Sequence, residues 1–225
     1  MSEHPFRLIV FDVDGTLVDS QAGIVAAMTR AFETLGLPAP TADATRRVVG
    51  LSLDEAVGRL LPSDATPDLV AKAAQLYKSA FMAERQRPEY VEPLFPDVAE
   101  TLRMLDSPAV CLGVATGKSR RGLDATLARH RLADHFVTLQ TADNGPGKPH
   151  PRMLHDAMSE VGARPEETVL IGDTTFDMEM ARCARTTGLG VAWGYHDSPD
   201  LTGAGASRIL ARFDEIPAAL AECAG

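Results

Sequence analysis

The chain has 225 residues, 45% of them hydrophobic and 24% charged, the balance of an ordinary globular protein. With 22 Lys and Arg against 31 Asp and Glu, its formal net charge of −9 argues against a general binder of nucleic acid or anionic membrane surface, while leaving room for a local basic patch. No apolar run is long enough to span a bilayer, and Met1-Ser2-Glu3-His4-Pro5 has neither the basic nor the apolar stretch of a signal peptide.

The first element is an apolar run, Leu8-Ile9-Val10-Phe11, that reads as a buried strand. Directly after it come Asp12 and Asp14, one residue apart, before a Gly15-Thr16 turn. Two like charges at a strand end repel each other, and strand alternation points both side chains into one site. A divalent metal would offset the repulsion. From 18 to 90 no strand is predicted. Ile24, Met28, Phe32 and Leu35 recur at helical spacing, with Ser20 placed to cap that helix and Gly36 and Pro38 to stop it. Further helical patterns cover 53–61 and 69–81, punctuated by Pro62 and Pro67. The proline-rich segment 87–96 reads as a stiff connector. Short apolar runs then recur at 110–115, 136–139, 169–171, 189–192 and 209–210, with helical segments between most of them.

This alternation predicts an α/β fold: a Rossmann-like parallel sheet covered by helices on both faces. Residues 1–17 and 91–225 are assigned to that core, and 18–90 to an inserted all-helical cap domain. The scattered Cys111, Cys183 and Cys223 read as small buried hydrophobes of a reducing compartment, so a cytoplasmic location is expected.

In open α/β sheets, ligands bind outside the carboxyl ends of the strands. Those ends carry Asp12 and Asp14, then Thr116-Gly117-Lys118, then Gly172-Asp173 with Asp177 beyond, while Lys148 follows Gly147 between the third and fourth strands. Four carboxylates, a hydroxyl and a lysine on one rim fit phosphoryl transfer. Mg²⁺ on Asp12 and Asp173, with Lys148 beside the phosphate, would offset the repulsion between a phosphate dianion and a carboxylate nucleophile. Thr116 and nearby N–H groups would bind the oxygens that gain charge. Lys118, Arg120 and Arg121 read as a solvated helix start, and His196 as a residue near the rim without a catalytic role.

These four motifs, in this order, resemble the haloacid dehalogenase superfamily of phosphatases, in the branch with an inserted helical cap. The family's DxDGTLxDS spans 12–20, its Thr/Ser strand end is Thr116, its GKP lysine is Lys148, and its GDxxxD is Gly172, Asp173 and Asp177. The resemblance implies that Asp12 is the nucleophile and forms an aspartyl-phosphate. It implies that Asp14 is the general acid/base with its backbone carbonyl on Mg²⁺, and that Thr116, Gly117 and Lys148 hold the phosphate. Asp173 ligates the metal, and Asp177 acts through water or orients Lys148. The cap would close over the site and select the substrate.

Within the family the chain looks most like the phosphoglycolate phosphatases, whose substrate-facing cap segment is similar to residues 47–53, which makes Arg47 a substrate-binding candidate. Those enzymes often carry Thr-Asn-Lys where this chain has Thr116-Gly117-Lys118, and Gly where Asp97 stands. The implied function is a Mg²⁺-dependent phosphatase of a small phosphorylated metabolite, with no nucleic-acid or membrane partner, as a monomer or homodimer. Alternatives are a phosphomutase of the β-phosphoglucomutase kind, a pyrophosphatase or nucleotidase, and a non-catalytic phospho-ligand binding protein. A histidine-free cap speaks against the first, and the acid at Asp14 against a true dehalogenase.

Overall fold

The computed structural model describes residues 5–223. Its centre is a six-stranded, wholly parallel sheet in the order β3-β2-β1-β4-β5-β6. The strands are β1 (Leu8–Phe11), β2 (Cys111–Thr116), β3 (Phe136–Thr141), β4 (Thr168–Gly172), β5 (Thr187–Val191) and β6 (Arg208–Leu210). β1 lies in the middle, with Phe11 opposite Val114 on one side and Ile171 on the other.

Strand alternation divides the core into two layers. Ile9 and Phe11 face one layer with Leu102, Leu127 and Leu220, which come from α5 (Val98–Leu105), α6 (Arg120–His130) and α10 (Ile216–Glu222). Leu8 and Val10 face the other, against Met153 and Leu154 of α7 (Arg152–Val161) and Met180 of α8 (Thr175–Ala184). A further helix, α9 (Ser198–Ala204), precedes β6. Every residue of β1 is fully buried. Burial on both faces explains why these strands read as continuous apolar runs.

Between β1 and α5 the chain forms four helices, α1 (Gln21–Thr34), α2 (Ala42–Arg46), α3 (Leu53–Leu60) and α4 (Pro67–Arg85). They enclose their own apolar cluster, with Met28 and Phe32 of α1 against Val57 of α3 and Ala73 and Ala74 of α4. Of the predicted stripe, Ile24, Met28 and Phe32 are buried and Leu35, at the C-cap of α1, is partly buried against the same cluster.

Four local expectations change. Ser20 sits at the N-cap position of α1 but makes no capping bond, because its hydroxyl is used by Asp14. α4 starts two residues before the predicted 69, at Pro67 itself, where a missing N–H costs nothing, while Thr66 Oγ1 accepts from Leu69 N at 3.3 Å. The five-residue α2 has too few residues to show a period. Finally, Cys183 and Cys223 are exposed and are not core hydrophobes, while half-buried Cys111 packs against the second core layer. Asp97 takes a left-handed conformation (φ 66°), the region that favours the Gly usual at that position. Among the described residues no helix is long and apolar enough to cross a membrane.

Candidate active site

The carboxyl edge of the sheet carries a buried charge cluster. The Asp12 N–H donates to Ile171 O at 2.9 Å, which fixes the residue just past β1 against the end of β4. Its carboxylate is 1% exposed. Lys148, fully buried, places Nζ 2.7 Å from Asp12 Oδ1 and 2.6 Å from Asp177 Oδ1. Asp177 is oriented from its other oxygen, which accepts from Thr174 N at 3.0 Å and Thr174 Oγ1 at 2.6 Å in a capping box that opens α8. Asp173 accepts from Thr16 Oγ1 and from Tyr195 N, both at 2.9 Å. Gly15 (φ +85°) is required here, since a Cβ would collide with the Asp173 carboxylate.

Ligand oxygens of Asp12, Asp173 and Asp177 all lie within 4.8 Å of one another. Three carboxylates against one ammonium leave two uncompensated negative charges when all are ionised. Burial, with the neighbouring Asp177 and Asp14 adding repulsion against the pull of Lys148, raises the Asp12 pKa from 3.8 to about 7. Burial and then Asp12 and Asp177 hold Asp173 well above the usual carboxylate range. Burial works against the charge on Lys148, but Asp12 and Asp177 outweigh it and raise its pKa. Asp12 Oδ2 is buried without a hydrogen-bond partner. Hard oxygen donors, a surplus of two negative charges and an orphaned carboxylate oxygen fit a small divalent cation.

Asp14 stands in a second network. Ser20 Oγ donates to Asp14 Oδ1 and lies 3.1 Å from Tyr195 Oη. Lys118 Nζ is 2.7 Å from Asp14 Oδ1 and 3.5 Å from Glu92 Oε1. Glu92, 2% exposed, also takes Arg85 at 3.6 Å and accepts from Thr126 Oγ1 at 3.2 Å. Lys118 is therefore not part of a solvated helix start. Its side chain is buried, and the pull of Asp14 and Glu92 exceeds the burial penalty and raises its pKa. Of its neighbours, Arg120 is exposed and paired with Asp124 at 2.8 Å, and Arg121 is exposed.

A cavity of about 610 Å³ opens above Asp12, Asp14 and Thr116, roofed by the 48–54 segment and by α1 and α4. Thr116 Oγ1 accepts from Lys118 N at 3.2 Å, and Gly117 lines the wall. A Cβ on Gly117 would lie 2.7 Å from Leu51 O, so this glycine admits the roof onto the core. Lys148, Asp173 and Asp177 stand behind Asp12 and do not line the cavity.

Arg47 is not brought into it. Its half-exposed side chain pairs with Asp43 at 3.2 Å and lies 3.8 Å from Asp200. His196 accepts from Thr175 N at 3.1 Å at the start of α8, and burial lowers its pKa. Ser20, Glu92 and Tyr195 join the site without being among the residues that the sequence singles out for it. Only Ser20 had a signal, as the last residue of the first motif.

The family model for haloacid dehalogenase-like hydrolases matches residues 9–191. A Dickeya dadantii (strain 3937) protein named "Probable phosphatase IndB" is 36% identical over 93% of this chain and 91% of its own length. A Vibrio parahaemolyticus protein named phosphoglycolate phosphatase is 31% identical over 88% of this chain and 90% of its own. Among solved structures, a haloacid dehalogenase-like hydrolase from Bacteroides fragilis superposes with a TM-score of 0.86 at 27% identity, covering 94% of this chain and 99% of that one.

Proposed function

This chain belongs to the haloacid dehalogenase-like hydrolases, and on that premise we propose that it is a Mg²⁺-dependent phosphatase of a small phosphomonoester, acting through an aspartyl-phosphate on Asp12. The observation that carries the reading is the clamp of buried Lys148 between Asp12 and Asp177, with Asp173 beside them. A metal held by Asp12, Asp173 and the Asp14 carbonyl would neutralise charge on the phosphate and the nucleophile.

The residues themselves supply the rest. A carboxylate oxygen of Asp12 attacks phosphorus as the bond to the leaving alcohol oxygen breaks, and Asp14 gives that oxygen a proton. Asp14, now ionised, takes a proton from water, which attacks the acyl-phosphate and releases phosphate, regenerating Asp12. Lys148 holds Asp12 in place and pulls against the burial that raises its pKa. Thr116 Oγ and the N–H groups after β2 donate hydrogen bonds to the equatorial oxygens, a kind of contact worth about 3–4 kcal/mol of barrier per donor. Ser20 and Lys118 fix the rotamer of Asp14. The 18–90 helices act as a cap whose roof over Asp12 keeps bulk water from the acyl-phosphate.

The test is phosphate release from a panel of phosphomonoesters, sugar phosphates and pyrophosphate, with and without Mg²⁺. Metal-dependent release that disappears in Asp12→Asn is the expected result. Release that survives in Asp12→Asn would refute nucleophilic attack by this residue.

A further inference from the structure

We propose that the substrate is a phosphomonoester whose alcohol portion is a sizeable apolar group held against the α1–α4 wall, and not phosphoglycolate. This inference rests on the phosphatase reading above and names the substrate class of the same site. It starts from the size and lining of the chamber. About 610 Å³ lies above Asp12 and Asp14, far more than a phosphate and a two-carbon acid fill.

Much of the wall facing that space is apolar, with Lys78, Arg85 and Gln86 of α4 and its C-cap at the polar margin. Met28 of α1, Leu53 of α3, and Tyr77 and Phe81 of α4 all line it. Tyr77 and Phe81 stack with centroids 5.7 Å apart and planes within 12°, which gives a continuous aromatic surface. Met82, also on the lining, is 44% exposed and carries the apolar surface outward. An apolar group seated on the stacked pair would also cover part of Met82 and remove that surface from water.

The cations point the same way. A carboxylate beside the phosphate would need its own positive partner once desolvated. Lys118 reaches the chamber, but Asp14 at 2.7 Å and Glu92 at 3.5 Å occupy its ammonium. Arg85 is 3.6 Å from Glu92 and donates to Gly122 O at 3.4 Å. Arg47 turns to Asp43 and Asp200 and does not line the cavity. Among the described lining residues, that leaves Lys78 and Arg121, both exposed. They suit long-range attraction of a phosphate dianion better than pairing with a carboxylate deep inside.

A series of n-alkyl phosphates from methyl to hexyl tests this, because the leaving alcohols have nearly the same acidity and the chemistry stays constant. With Mg²⁺ present, kcat/KM should rise about fourfold per added methylene until the chamber is full, and phosphoglycolate should fall below hexyl phosphate. A flat or falling series, or phosphoglycolate as the best ester, would overturn the inference while leaving the phosphatase reading intact. No phosphate release from any ester, phosphoglycolate included, would overturn both. The wild-type slope carries the test by itself. Phe81→Ala should flatten it, and an unchanged slope in a variant that unfolds at the wild-type temperature would contradict the placement of the alkyl group on that wall.

Discussion

Replacing Asp12 with Asn should stabilise the metal-free protein at neutral and alkaline pH, although it removes one partner of Lys148. Burial raises the Asp12 pKa from 3.8 to about 7, a net result that already includes the attraction of Lys148. Below the unfolded value the group is protonated in both states and contributes nothing. Between the two values the unfolded chain ionises first, so stability falls as pH rises. Above about pH 7 the full penalty is present, and about 3 units at 1.36 kcal/mol each give on the order of 4 kcal/mol. Asn keeps the shape without the charge, and Lys148 retains Asp177 at 2.6 Å. Urea denaturation of chelator-stripped protein from pH 4 to pH 9 measures the difference. The Asn variant should match wild type near pH 4 and exceed it by a few kcal/mol at pH 8. Mg²⁺ should narrow or reverse that gap, since wild type gains about 2.7 kcal/mol at a hundred times Kd and the variant has lost a ligand. If the metal-free variant is the less stable protein at pH 8, Lys148 outweighs burial and the reasoning fails.

Other perturbations separate the parts of the site. Lys148→Met leaves three buried carboxylates without an ammonium; it should abolish phosphate release and cost about 3–5 kcal/mol of metal-free stability in denaturant titrations. Gly117→Ala forces a Cβ against Leu51 O, so it should raise KM and cost about 1–3 kcal/mol in the same titrations; unchanged values would mean the roof lifts freely. Asp97→Gly relieves a left-handed φ of 66° at a position whose side chain caps nothing. The net gain should be about 0.5 kcal/mol, visible as a rise of about 1–2 °C in melting temperature.

All six strands were legible in the sequence, because a parallel sheet buried on both faces leaves uninterrupted apolar runs such as Leu8 to Phe11. Strand ends moved by a residue or two, as at Thr116 and Thr187, where hydrogen bonding continues past the last apolar side chain. Asp12, Asp14, Lys148, Asp173 and Asp177 stand out because acids and a lysine at strand ends have little structural use, and Thr116 because it closes a strand on the same rim. The structure gathers all six at the carboxyl edge of the sheet.

The misreadings share a cause. Lys118 resembles a solvated residue among its neighbours in sequence, and only the fold brings Asp14 and Glu92 to it. Ser20 resembles a cap until Asp14 takes its hydroxyl. Arg47 looks free to reach the substrate, yet Asp43 one helical turn earlier and Asp200 from a distant segment hold it. Local pattern registers burial and periodicity, and long-range charge pairing has no local signature.

The place of β1 in the sheet bears on how the protein is made. β1 is made before the five other strands of its sheet, yet it ends up between β2 and β4, and the Asp12 N–H waits for Ile171 O. The helices of 21–85 close their cluster among themselves, so they can pack while β1 still has both edges open. A half-synthesised chain therefore carries finished helices beside an unpaired, wholly apolar strand, the kind of edge that recruits other chains. A fragment ending at residue 165, in which β1 has β2 but not β4 beside it, should aggregate or bind a chaperone while keeping helical circular dichroism. If the fragment is soluble and monomeric on its own, the first strand does not need its late partner.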